Sequence, residues 1–127
     1  MNTLQILNKG SSILKIQKIK SFQLDSELLL SKALNRKREN ILINLDQEID
    51  SKLISQYCQL ILRRSFREPI AYILKEKEFW SKTFYVNRST LIPRPETELL
   101  VERIVKEFKK KKISILDIGT GSGCILI

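Results

Sequence analysis

The sequence predicts a small α-helical bundle, then a β-hairpin, then the opening of an α/β domain. Three observations carry this reading. Up to about Leu74 apolar residues recur at three- and four-residue intervals and Gly10 is the single glycine. Beyond Leu74 the pattern shifts to aromatic and β-branched runs around a short polar break. Three of the four glycines then fall within Gly119 to Gly123, directly behind a compact apolar run.

In chain order, Leu4, Ile6, Leu7, Ile13 and Leu14 form one broad stripe, so a helix is expected from about Thr3, as N-cap, to Gln17, loosened at Gly10. Ser21 is placed to cap a second helix from about Gln23 to Leu34, which Asn35 ends. A short turn of helix follows over Glu39 to Ile43. Asp46 then caps a longer helix reaching Ser65, with Ile49, Leu53, Ile54, Tyr57, Leu60 and Ile61 inward. The leucines and isoleucines of these helices, with Cys58, are expected in the core. Pro69 ends the long helix or begins another turn. Glu78 to Trp80 and Thr83 to Val86 read as a hairpin broken at Ser81-Lys82, with Trp80 packed. The two prolines around Arg94 force extended backbone there, and Pro95 opens a helix running to about Lys110 with Glu96 and Glu98 in its first turn. Ile113 to Ile118 then reads as a buried parallel strand.

Composition removes several function classes. The 127 residues contain no histidine, so no imidazole base, His-paired nucleophile or histidine metal ligand exists. Two cysteines, Cys58 and Cys124, close neither a zinc site nor a disulfide framework, and no metal site is expected. Cys124 has no basic neighbour in sequence and is read as small-residue packing. A reducing, cytoplasmic setting follows, with no signal sequence and no membrane span expected. The net charge of +9 attracts acidic partners or nucleic acid, yet the one dense cluster, Lys109 to Lys112, falls where a helix should end and cations complement its dipole.

The chemistry is concentrated in Leu116-Asp117-Ile118-Gly119-Thr120-Gly121-Ser122-Gly123. No Gly-Lys-Ser/Thr follows, so this is not a P-loop. Its third glycine comes one residue too early for the dinucleotide fingerprint, and Asp117 at the end of the run would repel a pyrophosphate but accept hydrogen bonds from an ammonium or from loop N–H groups. The pattern resembles motif I of class I S-adenosylmethionine-dependent methyltransferases. Upstream, Arg67-Glu68-Pro69-Ile70-Ala71-Tyr72-Ile73, Glu78-Phe79-Trp80 and Leu91-Ile92-Pro93-Arg94-Pro95-Glu96-Thr97-Glu98, with Leu24-Asp25-Ser26-Glu27-Leu28-Leu29-Leu30 in the second helix, resemble the release factor glutamine methyltransferases of the HemK type. Arg67 departs from that family, which usually has glycine before Glu-Pro-Ile-Ala.

The resemblance implies a helical substrate-recognition domain over residues 1–74, a β-hairpin linker over 75–94 and the start of a Rossmann-like catalytic domain over 95–127. It implies S-adenosyl-L-methionine as cofactor, held in part by Gly119, Thr120, Gly121, Ser122 and Gly123, with Asp117 holding the loop or the cofactor's ammonium. It also implies transfer of a methyl group to the side-chain amide nitrogen of the glutamine in the Gly-Gly-Gln motif of peptide-chain release factors. The family aligns that amide with an Asn-Pro-Pro-Tyr motif, which residues 1–127 lack, so no catalytic residue is assigned here and the chain is expected to be an inactive N-terminal portion. A monomer that binds release factors, without nucleic acid or membrane, is expected. The competing reading is a non-catalytic basic module binding RNA or a ribosome-associated protein, or the remnant of a decayed gene.

Overall fold

The computed structural model describes residues 1–127, in two compact units, Met1–Leu74 and Lys75–Ile127. The first unit is all helical: α1 (Thr3–Ile16), α2 (Phe22–Leu34), α3 (Arg38–Ile43), α4 (Ser51–Ser65) and the short α5 (Ile70–Leu74). The second holds the antiparallel hairpin β1 (Glu76–Phe79) and β2 (Lys82–Tyr85), then α6 (Thr97–Phe108).

The starts of α1 and α4 are set by side chains that satisfy free N–H groups of the first turn, whereas Ser21, expected to cap α2, makes no such bond and donates to Asp25 instead. Asn2, not Thr3, caps α1: its side chain accepts from the Gln5 N–H at 3.0 Å while the Gln5 side chain accepts from the Asn2 N–H at 3.0 Å. Reciprocal capping of this kind contributes on the order of 1 kcal/mol. Thr3 is buried instead and donates to the Gln47 carbonyl at 2.9 Å. Asp50, not Asp46, caps α4, accepting from the Lys52 N–H at 2.8 Å. Helix α1 runs unbroken through Gly10, because the missing Cβ leaves room for the Tyr57 ring rather than for a bend. Asn35 ends α2 in the left-handed region at φ 50°, as an Asn C-cap does. Pro69 directly precedes α5, where its missing N–H is one the helix would leave unpaired.

The bundle core consists of Ile6, Leu7, Leu14, Ile19, Leu29, Leu30, Ile41, Tyr57, Ile61 and Ile73, with α1, α2 and α4 packed on one another. Each such side chain contributes about 1.5–3 kcal/mol on burial. Three polar side chains are buried with them, and all are paired. Ser26 lies 2.6 Å from the Tyr57 hydroxyl and 3.2 Å from the Leu7 carbonyl, and Asp25 accepts from Arg64 at 2.7 Å and Ser21 at 2.9 Å. Not every apolar residue of the helical stripe is core: Leu4, Ile13, Leu24 and Ile43 are exposed. The stripe is broader than the contact each helix makes, so its edges stay in water. Cys58 is likewise exposed, one step of the helix round from Tyr57.

In the second unit the hairpin turn falls at Trp80-Ser81, one residue before the break the sequence suggested. Both turn residues take positive φ, 51° and 57°, the geometry of a two-residue turn that matches strand twist. Phe79 and Phe84 meet edge to face, with centroids 6.2 Å apart, and pack with Val101 of α6 and Cys124. Trp80 takes no part in that cluster and is 40% exposed. The expected parallel strand is absent: residues 113–118 have no ladder partner and lie largely in solvent. A parallel strand requires a neighbour across its N–H and C=O groups, and the one sheet among residues 1–127 is the hairpin.

Candidate functional site

The glycine loop leaves the extended segment 113–118 and turns on alternate residues. Gly119, Gly121 and Gly123 have φ of 73°, 58° and 78°, with Thr120 and Ser122 between them. Left-handed backbone at alternate positions is the reason for glycine here, since an L side chain costs roughly 1–2 kcal/mol in that region. At Gly119 and Gly121 an added Cβ would meet nothing within 4 Å, so the loop backbone faces open space. A ligand can therefore approach the main chain there.

The loop is closed from within by the Gly123 N–H, which donates to the Thr120 carbonyl at 2.9 Å, and by the Ile127 N–H, which donates to the Gly123 carbonyl at 3.1 Å as one turn of helix. Two polar atoms beside it have no partner: Asp117 Oδ2 and Ser122 Oγ are buried without a hydrogen bond. Buried oxygens without partners cost about 1–3 kcal/mol each; the Asp117 oxygen can accept a hydrogen bond, and the Ser122 hydroxyl can accept or donate one. Sequence reasoning had brought Asp117 and the five loop residues to one place. In the structure Asp117 is half-buried ahead of two short turns, at 118–119 and 121–122, and Gly119 to Gly121 are exposed.

The loop is tied to the rest of its unit through the hairpin. Cys124, immediately after Gly123, packs against Phe79, Phe84 and Val101, and Lys82 donates to the Ile127 carbonyl at 3.3 Å. Glu98 in the first turn of α6 accepts from the Trp80 N–H at 2.9 Å and holds the hairpin tip. That bond was not visible in sequence, where Glu98 read as an acid suited to a helix start and as part of the Leu91 to Glu98 family segment. Arg94 is engaged through its backbone, its carbonyl accepting from the Thr97 N–H at 3.1 Å as α6 begins.

In the helical unit the Arg67-Glu68-Pro69 segment is built from charge. Arg63 clamps Glu68 through two bonds of 2.9 and 2.7 Å, and the Glu68 carboxylate holds that guanidinium's proton more tightly still. Arg64 bridges Asp25 and the Glu68 carbonyl. Arg67 takes φ 65° and donates to the Gln17 carbonyl at 2.8 Å, closing the end of α1. The left-handed backbone accounts for the glycine usual at this position in the family the sequence resembles.

A family model, the PrmC N-terminal domain, matches residues 5–74. The chain belongs to this family. Similar curated proteins named release factor glutamine methyltransferase include those of Leptospira interrogans, 41% identical over 124 residues, and of Buchnera aphidicola from Acyrthosiphon pisum, 45% identical over 116 residues. These alignments cover 96% and 91% of this chain but 43% and 42% of the relatives. A bifunctional methyltransferase of Rickettsia felis is 36% identical over 97% of this chain and 29% of its own length. The chain thus spans less than half the length of the relatives it matches, and its similarity runs past the helical unit into the hairpin and glycine loop.

Proposed function

We propose that this chain forms the N-terminal part of an enzyme that methylates the side-chain amide nitrogen of the glutamine in the Gly-Gly-Gln motif of peptide-chain release factors, using S-adenosyl-L-methionine in the cytoplasm. The observation that carries this reading is the loop of left-handed glycines with bare Asp117 Oδ2 and Ser122 Oγ beside it. Its residues suit the cofactor. Asp117 and Ser122 offer acceptors for an ammonium and hydroxyl groups, and the open backbone at Gly119 and Gly121 lets a ligand lie against the main chain. When bound, the cofactor supplies an electrophilic methyl group on a sulfonium.

An amide nitrogen is a weak nucleophile because its lone pair is delocalised into the carbonyl, so rate must come from alignment. Such a reaction needs no imidazole base. What residues 1–127 contribute is one wall of the cofactor site, the hairpin that buttresses it and the helical unit that grips the protein substrate. The Asn-Pro-Pro-Tyr that would hold the glutamine amide is not among them, and these residues alone do not complete the transfer. To test this, S-adenosylmethionine is titrated calorimetrically into the 127-residue chain and into a chimera extended by the C-terminal part of the Buchnera relative. The chimera is expected to bind at least tenfold more tightly and to transfer label to a release-factor glutamine. A chimera that binds the cofactor yet labels no release factor would refute the substrate assignment.

A further inference from the structure

Between α1 and α4 lies a groove of about 200 Å³ that no part of the proposed reaction uses. Its floor is Gly10, Tyr57 and Ile61, and its walls include Ile13 and Leu62. The floor is closed where Gly10 packs directly on Tyr57: a Cβ placed at position 10 would lie 1.9 Å from the Tyr57 hydroxyl oxygen, so α1 and α4 approach closely beneath the groove. Ile13 and Leu62 are 46% and 57% exposed, although both are large aliphatic side chains on regular helices. The apolar band continues one turn on, with Ile16 three residues after Ile13 and Phe66 four after Leu62, both exposed. Arg67, bonded to the Gln17 carbonyl, brings these two helix ends together.

Charge around the groove is one-sided. Lys9 is the sole charged side chain lining it, and the contact its ammonium makes is with the Met1 sulfur at 3.7 Å, not with a carboxylate. Four acids of the helical unit are already committed: Asp25 to Arg64, Glu27 to Arg38, Glu48 to the N-terminal ammonium and Glu68 to Arg63. Other clefts of the bundle carry acids, Glu27 in one and Glu48 with Asp50 in another. The α1–α4 groove combines an apolar interior with a cation that no carboxylate holds.

We propose that this groove docks the protein substrate by taking an apolar side chain from an acidic segment of it, with a carboxylate of that segment meeting Lys9. The proposal rests on the reading of a release factor as substrate and names the face that holds it. The volume is below the ~300 Å³ at which small-molecule sites begin and suits one or two side chains. A concave slot between two helices is the form used for apolar anchors of a protein segment, and the net charge of +9 attracts an acidic partner to the chain, with Lys9 the cation at the groove itself.

A purified bacterial release factor, fluorescently labelled, is titrated with the 127-residue chain and with Leu62→Glu, Lys9→Glu and Lys37→Glu. Lys37 is exposed and lines none of the groove, so its variant matches the net charge of Lys9→Glu. Leu62→Glu and Lys9→Glu are expected to weaken binding at least tenfold, and Lys37→Glu less than twofold, with unchanged far-ultraviolet circular dichroism. Cys58 at the groove should react with N-ethylmaleimide more slowly in the complex, while Cys124, in the other unit, reacts as before. Equal binding by all variants overturns the groove and leaves the substrate assignment standing. So does methyl transfer by the extended chimera with no binding by this chain. Loss of a self-associated dimer in Leu62→Glu, or binding of anionic vesicles abolished by that variant without effect on the release factor, assigns the face to another occupant and also overturns the proposal.

Discussion

Tyr57 carries its hydroxyl into the bundle core, and burial there, with smaller opposing help from the Ser26 bond, pushes its ionisation from 10.0 up to about 12. The neutral phenol is the form the fold accepts. Its contribution is therefore complete below pH 10 and is lost as pH rises toward 12, a change of roughly 2–3 kcal/mol for a shift of this size. Urea unfolding followed across that range should show stability falling with pH in the wild type. Tyr57→Phe should flatten the profile, at a cost of about 1 kcal/mol near neutrality for the lost hydrogen bond. Gly10→Ala tests the same packing from the other side. Alanine gains up to ~1 kcal/mol of helix propensity, but the overpacking against Tyr57 costs about 1–3 kcal/mol and displaces the Ser26 bond, so net destabilisation is expected in denaturant titration. Sequence reading placed Tyr57 inward by its spacing but gave Gly10 the wrong meaning, since the close approach joins residues 47 positions apart. Cys58 was misjudged for a related reason: composition says cysteine is usually buried, whereas its position on α4 turns it to the groove.

Among the elements, those specified by local chemistry were legible and those requiring a distant partner were not. The helices of the first unit follow from periodicity, and the differences in their bounds lie at the caps, where Asn2 and Asp50 serve in place of Thr3 and Asp46. The hairpin was legible from its aromatic residues, but its turn lacks the glycine or asparagine that marks one. Ser81→Gly should relieve left-handed strain at φ 57° and, after the entropy glycine loses, raise the stability of the second unit by up to ~1 kcal/mol in thermal unfolding. Arg67 offers a sharper comparison because its side chain also bonds Gln17. Arg67→Ala keeps the strain and loses the bond, whereas Arg67→Gly loses both, so the glycine variant is expected to be the more stable of the two by about 1 kcal/mol in denaturant midpoints. At the candidate site, the loop glycines were legible as a motif. The Glu98 to Trp80 bond was not, because nothing in the spacing of 18 residues announces it.

Across the molecule, two units of different character share one chain. The helical unit buries ten core side chains and pairs its buried polar groups, while the second centres on Phe79, Phe84 and Val101 and leaves Leu116 and Ile118 at 86% and 87% exposure. Leu99, Leu100 and Val105 of α6 are exposed as well. The absent strand over 113–118 is the place where sequence and structure part, since apolar patterning announces a strand but only a pairing partner makes one. That bare run has a colloidal consequence. Ile113 to Ile118 is a short, β-prone, mostly uncharged window of the kind that seeds stacking between chains, and Lys109 to Lys112 stand immediately before it as electrostatic gatekeepers. Their mutual repulsion acts over a screening length of ~10 Å at 0.1 M salt and ~3 Å at 1 M. Light scattering from the chain is therefore expected to climb as salt is raised, the reverse of ordinary salting-in, and Leu116→Glu should suppress the climb. The four lysines that follow α6 would then be what keeps neighbouring copies apart.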